Sequence, residues 1–169
     1  DMNLYDTTCI FKKVDPIKIN TNENIFPTYE IKGYTFYKND MRYKIVNNLF
    51  DHVKELKGNN NDKIINILEV RNKKKVSEYL SYFPENLSLV KGVDEKINEL
   101  INNIYISYVN LKITKTTHIN DIKFHIKPCI HDLHKIYLDT QKKITKNNVQ
   151  EYINEMAIYR LKFILNYIN

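Results

Sequence analysis

The sequence predicts an α+β protein, predominantly α-helical, with a short N-terminal β-hairpin followed by a multi-helix bundle. Three observations carry this. Residues 29–38 and 41–46 are β-rich runs separated by the turn pair Asn39-Asp40. After Val46 the apolar period changes from about two to about 3.6. Between residues 93 and 111 apolar side chains recur in one unbroken helical stripe.

Residues 1–28 carry Pro16, Pro27 and the polar run NTNEN, and read as irregular chain with at most a short strand at Thr8 to Phe11. The two hairpin strands follow. Asn-Asp is a weaker hairpin pair than Asn-Gly, so a turn longer than two residues is compatible with it. Leu49, Phe50, Val53 and Leu56 fit one face of a short helix that stops at Gly58. Asp62 is placed to cap the next helix, whose apolar side is Ile64, Ile65, Leu68 and Val70. A basic run, Arg71 to Lys75, leads into a helix begun near Lys74, with Val76, Tyr79, Leu80 and Phe83, and Pro84 ends it.

The long stripe comprises Val93, Ile97, Leu100, Ile101, Ile104, Tyr105, Tyr108 and Leu111, with Lys96, Glu99, Asn103 and Asn110 off it. Pro128 suits the first turn of a further helix with Ile130, Leu133, His134 and Tyr137 on one face. Asn148 and Glu151 resemble a capping pair for the next helix, and Ala157, Leu161, Ile164, Leu165 and Ile168 stripe the last. The division this implies is 1–46, an irregular segment plus hairpin, and 47–169, a helical domain.

Composition narrows the function classes. Apolar residues make up 43% of the 169, enough for a core, and no run of eighteen apolar residues exists, so no membrane span is expected. The first residues lack a basic stretch followed by an apolar one, so no signal peptide is visible, and a start at Asp1 suggests a trimmed chain. Two cysteines, Cys9 and Cys129, make no disulfide framework, which points to the cytoplasm or another reducing intracellular compartment. The net charge of +6 suits a polyanionic partner, although the abundance of Lys, Asn, Ile and Tyr is also what AT-rich codons produce.

The densest chemistry is HIKPCIHDLH, residues 125–134. Imidazole and thiolate are zinc ligands, but in a helix opened by Pro128, Cys129 and His131 stand roughly 200° apart and face opposite ways. No metal site is therefore assigned to His125, Cys129, His131 and His134. With three glycines there is little material for oxyanion loops, and no catalytic residue is assigned. The basic positions Lys54, Lys57, Arg71, Lys73, Lys74 and Lys75, with Tyr79 and Tyr82 nearby, pair cations with aromatics. That is the pattern for neutralising a nucleic-acid backbone and stacking bases. Lys142, Lys143 and Lys146 form a second cluster. The competing reading is an ordinary solvated face.

KGYTFYKNDMRYKIVNNLFDHV, residues 32–53, resembles the end of the nucleotidyltransferase domain in ATP-dependent RNA ligases of large DNA viruses and phages. The text after it resembles the start of the helical C-terminal region of such ligases. In that family a Glu-Gly-aliphatic strand is followed by a strand carrying Lys-x-Lys, then an aromatic residue and a helix. Gly33, Lys44 and Phe50 match the glycine, the first lysine and the aromatic. Lys32 stands in the place of the metal-binding glutamate, Val46 in that of the second lysine, and the nucleophilic Lys-x-Asp-Gly motif is absent.

The resemblance implies that Lys44 contacts phosphate and that the chain is at most a non-catalytic part of a ligase-like enzyme. It would need no cofactor of its own, ATP and Mg belonging to an intact ligase. The expected role is binding and positioning nucleic acid, an RNA end above all, with no membrane contact. The alternative is a helical protein-interaction or scaffold module of an AT-rich virus or parasite, whose partner is another protein.

Overall fold

The computed structural model describes residues 3–6, 13–14, 26, 28–38 and 41–168. They divide into two compact units, 1–59 and 60–169.

Among its described residues, the first unit is a four-stranded antiparallel sheet followed by one helix. Strands β1 (Asn3–Asp6), β2 (Lys13–Val14), β3 (Gly33–Lys38) and β4 (Met41–Val46) lie in the order β2-β1-β3-β4. The expected hairpin is β3–β4, with Tyr34 opposite Ile45 and Thr35 opposite Lys44. The expected strand at Thr8 to Phe11 and the Asn39-Asp40 turn lie outside the described residues. The N-terminal residues are less irregular than their composition suggests: β1 pairs with β3 from Asn3↔Tyr37 to Asp6↔Tyr34. A strand of four residues has too few alternations to register as a period, so only its pairing partner reveals it. Gly33 begins β3 where a Cβ would collide with the carbonyl oxygen of Ile45, so only glycine allows the two strands to approach here.

Helix α1 (Asn48–Lys57) is tied to the sheet by Asn47. The Asn47 amide N–H donates to the Lys32 carbonyl (2.9 Å). Its side chain donates to the carbonyls of Thr28 (2.9 Å) and Ile31 (2.8 Å), and its Oδ1 accepts from Leu49 N–H (3.0 Å). These bonds tie α1 to the sheet, and both belong to the first unit, which runs to Asn59. The helix buries Val53 and Leu56 and ends at Gly58 with a positive φ of 76°, as its sequence predicts.

The second unit is all helical. It contains α2 (Lys63–Asn72), α3 (Val76–Tyr82), α4 (Leu87–Tyr108), α5 (Lys127–Thr140), α6 (Lys146–Glu155) and α7 (Ile158–Leu165). Asp62 caps α2 by accepting from Ile64 N–H (2.9 Å). Helix α3 starts at Val76, not near Lys74, because Lys74 takes a left-handed φ of 57° that no α-helix accommodates. Helix α4 packs against α2, α5, α6 and α7, and continues as a π-helical turn, Val109–Ile113. Its stripe is the core: Val93, Ile97, Leu100, Ile101, Ile104 and Tyr108 are buried, with Tyr105 and Leu111 half-buried at the edge. Ile130, Leu133, Val149, Ile153, Leu161 and Ile164 close over it.

One cap and one helix start differ from expectation. Helix α6 starts at Lys146 and is capped by Thr145, not Asn148: the Thr145 hydroxyl accepts from Asn148 N–H (3.4 Å), and Asn148 Oδ1 accepts from Thr145 N–H (3.0 Å). A 3-10 turn at Pro84–Asn86 leads into α4, which opens at Leu87, ahead of its apolar stripe. Among the described residues no helix is long and apolar enough to cross a membrane.

Candidate nucleic-acid interface

Lys44 lies near the middle of β4 and is exposed. Residues directly opposite one another in an antiparallel pair project from the same face, and alternate residues on one strand do too. The register Gly33↔Val46, Thr35↔Lys44, Tyr37↔Arg42 therefore sets Arg42, Lys44 and Val46 on one face with Thr35 and Tyr37. Arg42, Lys44 and Val46 are exposed, and Tyr37 keeps 45% of its surface. Thr35 is buried, and its Oγ1 has no hydrogen-bond partner among the described residues. The face thus holds two cations two residues apart, flanked by an aromatic ring. Lys-x-Lys read forward from Lys44 meets Val46; the same alternation read backward meets Arg42. No carboxylate stands among these six positions of β3 and β4, so they do not fit a divalent metal. Glu30 lies in the exposed turn before β3; Asp40, between the strands, lies outside the described residues.

Lys54 and Lys57 belong to the same unit, exposed one helical turn apart near the C-terminus of α1, where cations oppose the negative end of the helix dipole.

The remaining predicted residues lie in the second unit, and several are spent internally. Arg71 donates to Asp94 Oδ1 (3.2 Å) and Asn154 Oδ1 (2.9 Å), joining α2 to α4 and α6. Lys75 pairs with Glu78 (3.8 Å). Tyr79 is a correction: it is 6% exposed, its ring packs against Phe83 (5.1 Å), and its hydroxyl accepts from Asn86 Nδ2 (2.9 Å). A base cannot stack on a ring inside the core. Its position on the apolar side of α3, between Val76 and Leu80, carried that signal. Burial, helped by Glu85, pushes its hydroxyl pKa up. Lys73 and Lys74 are exposed, and Tyr82 is half-buried. Lys142, Lys143 and Lys146 are exposed around the start of α6.

The His/Cys segment separates as its helical phase predicts. Cys129 is fully buried and His131 exposed. Burial pushes the Cys129 thiol up, away from nucleophilic use. Among the described residues no three His, Cys, Asp or Glu side chains are grouped to hold a metal ion; Cys9 lies outside them. Asp132 serves packing instead. It accepts from the Tyr152 hydroxyl (2.6 Å) and from Arg160 (2.9 Å), linking α5, α6 and α7. Desolvation would raise its pKa, but these two donors outweigh it and hold the carboxyl below the usual range.

His125 and His134 have their pKa values lowered, first by burial, then by Lys123 and Lys112 respectively. A lowered folded-state pKa means the unfolded chain binds the proton first. This part of the stability is fully present above the unfolded value of about 6.5 and is lost as pH falls through the lowered folded values. Urea midpoints are expected to decline between about pH 7 and pH 5, and the double variant His125→Gln, His134→Gln to flatten that decline. A slope unchanged in the double variant would refute the assignment.

The fold and this surface define a small α+β protein, mainly helical, with a cationic sheet face. No family model, curated protein or solved structure matches the chain.

Proposed function

We propose that the protein binds and positions nucleic acid, RNA in particular, through the β3–β4 face, as a non-catalytic module of an RNA-ligase-like protein. One observation carries the reading: Arg42 and Lys44 project together from an exposed face that also presents Tyr37. Two cations at a two-residue spacing match successive backbone phosphates, and the ring offers a stacking surface. Lys54 and Lys57 add positive charge within the same unit. The order strand, strand, helix over residues 33–57 agrees with the ligase resemblance. The reading asks nothing of Tyr79 and little of Arg71.

Filter binding of a short single-stranded RNA tests it. Affinity is expected to fall steeply between about 50 and 200 mM salt. Arg42→Ala and Lys44→Ala are each expected to weaken binding across sequences and to lower the log–log salt slope by about 0.7. Both side chains are exposed, so the far-UV spectrum should not change. Absent binding at low ionic strength, or binding indifferent to both substitutions, would refute the reading. It would leave the protein-interaction module, favoured by the exposed ridge of Tyr159, Phe163 and Tyr167 at successive i, i+4 positions along α7 and just beyond it.

A further inference from the structure

A pocket of about 340 Å³ opens in the second unit beside α4, bounded by segment 117–126 and by residues 167–168 after α7. Its apolar floor includes Leu100 and Ile126. Above them stand Asn103 and Asn110, whose side-chain amides make no hydrogen bond among the described residues. One wall is aromatic. His125 stacks on Tyr167 (centroids 5.1 Å apart, planes 13°), and Phe124, just outside the pocket, meets both rings edge-on (5.4 and 4.9 Å). Tyr167 and Phe124 remain exposed, while His125 is 8% exposed and its Nδ1 is buried without a partner. Charge at the rim is mixed, with Glu99 and Asp121 against Lys123.

We infer that this pocket takes a nucleobase, a flat nitrogen heterocycle with donors and acceptors along its edge. The aromatic wall supplies a surface for the ring. Each Asn amide offers a donor beside an acceptor, the pairing that base edges present. Burial and then Lys123 hold the His125 pKa down, so the imidazole is neutral at pH 7. The volume sits near the low end of small-molecule sites, roughly 300–1,000 Å³, which suits one base or nucleoside. The acids at the rim disfavour a phosphate chain in the pocket, so the base is the part recognised.

The base arrives either as a free nucleoside or as the unstacked end of a strand. The inference uses neither Arg42 nor Lys44, so loss of RNA binding by the sheet face would leave it standing. Adenosine, guanosine, cytidine and uridine, a three-nucleotide single-stranded RNA, and indole are titrated into the full chain while the His125 and Tyr167 ring resonances are followed. At least one base-containing ligand is expected to move both sets, and Asn103→Ala to weaken it at least tenfold. Response to nucleosides identifies the free base as the source, and response to the oligonucleotide alone identifies a strand end. Tyr167→Leu, close to the chain end, should weaken binding similarly, and if it disturbs folding, Asn103→Ala alone decides. Indole moving the resonances as strongly as any base, no movement at millimolar ligand, or binding unchanged in Asn103→Ala would each overturn the assignment.

Discussion

Ile104→Ala is expected to destabilise the helical unit by about 2–5 kcal/mol, whereas Ile106→Ala, two residues along the same helix, should change it by under about 0.5 kcal/mol. Ile104 is 0% exposed and lies in the α4 stripe; Ile106 is 55% exposed. The residue type and helix are the same, so helix propensity is the same and only the face differs. Truncating Ile104 removes buried methyl groups and leaves a cavity that its packed neighbours cannot fill. A domain's whole stability is about 5–15 kcal/mol, so the loss is a large fraction of it. Urea unfolding followed by far-UV circular dichroism should show a midpoint lowered by roughly 1–3 M for Ile104→Ala. Equal midpoints for the two variants would contradict the placement of the core.

The second large effect is expected at Asn47. Asn47→Ala is predicted to destabilise the first unit by about 2–4 kcal/mol, because one side chain makes three hydrogen bonds and is itself buried. The loss has two separable parts. The N-cap to Leu49 contributes about 1 kcal/mol; the two donors to Thr28 and Ile31 hold the segment before β3 against the helix start. Asn47→Ser retains a capping oxygen and lacks those donors, so its stability should fall between wild type and Asn47→Ala. Hydrogen exchange at the Leu49 amide reports the cap directly. Protection unchanged in Asn47→Ala, with stability within about 0.5 kcal/mol of wild type, would refute this account.

Much of the helical structure is legible in the sequence. The Ile97–Leu100–Ile104 spacing, the Asp62 cap, the Gly58 stop and the opposed faces of Cys129 and His131 all emerge from interactions between residues one to four apart. Helical geometry makes such pairs neighbours wherever the helix finally sits. The cap of α6 was misread because Asn148 has capping chemistry as well, and only the chain's turn at Thr145 distinguishes the two. The sheet was half legible. Hairpin strands β3 and β4 are adjacent in sequence, but β1 reaches β3 across nearly thirty residues, and nothing local in residues 3–6 names that partner.

The candidate interface shows the same division. The sequence determined by itself that the chain is mainly helical after a β-hairpin, that its charge is +6, and that Lys44 stands on a strand. Tertiary structure alone decided which polar groups remain available. Arg71 is consumed by Asp94 and Asn154, Asp132 by Tyr152 and Arg160, and Tyr79 by the core, each through partners distant in sequence or by burial against other elements. Arg42 and Lys44 share a face because strand geometry alternates every two residues, but that face being exposed depends on what packs over it. The pocket beside α4 likewise joins residues from 99 to 168. Periodicity and capping are short-range and survive in the sequence; side-chain satisfaction and concavity are long-range, and exist only once the chain has closed on itself.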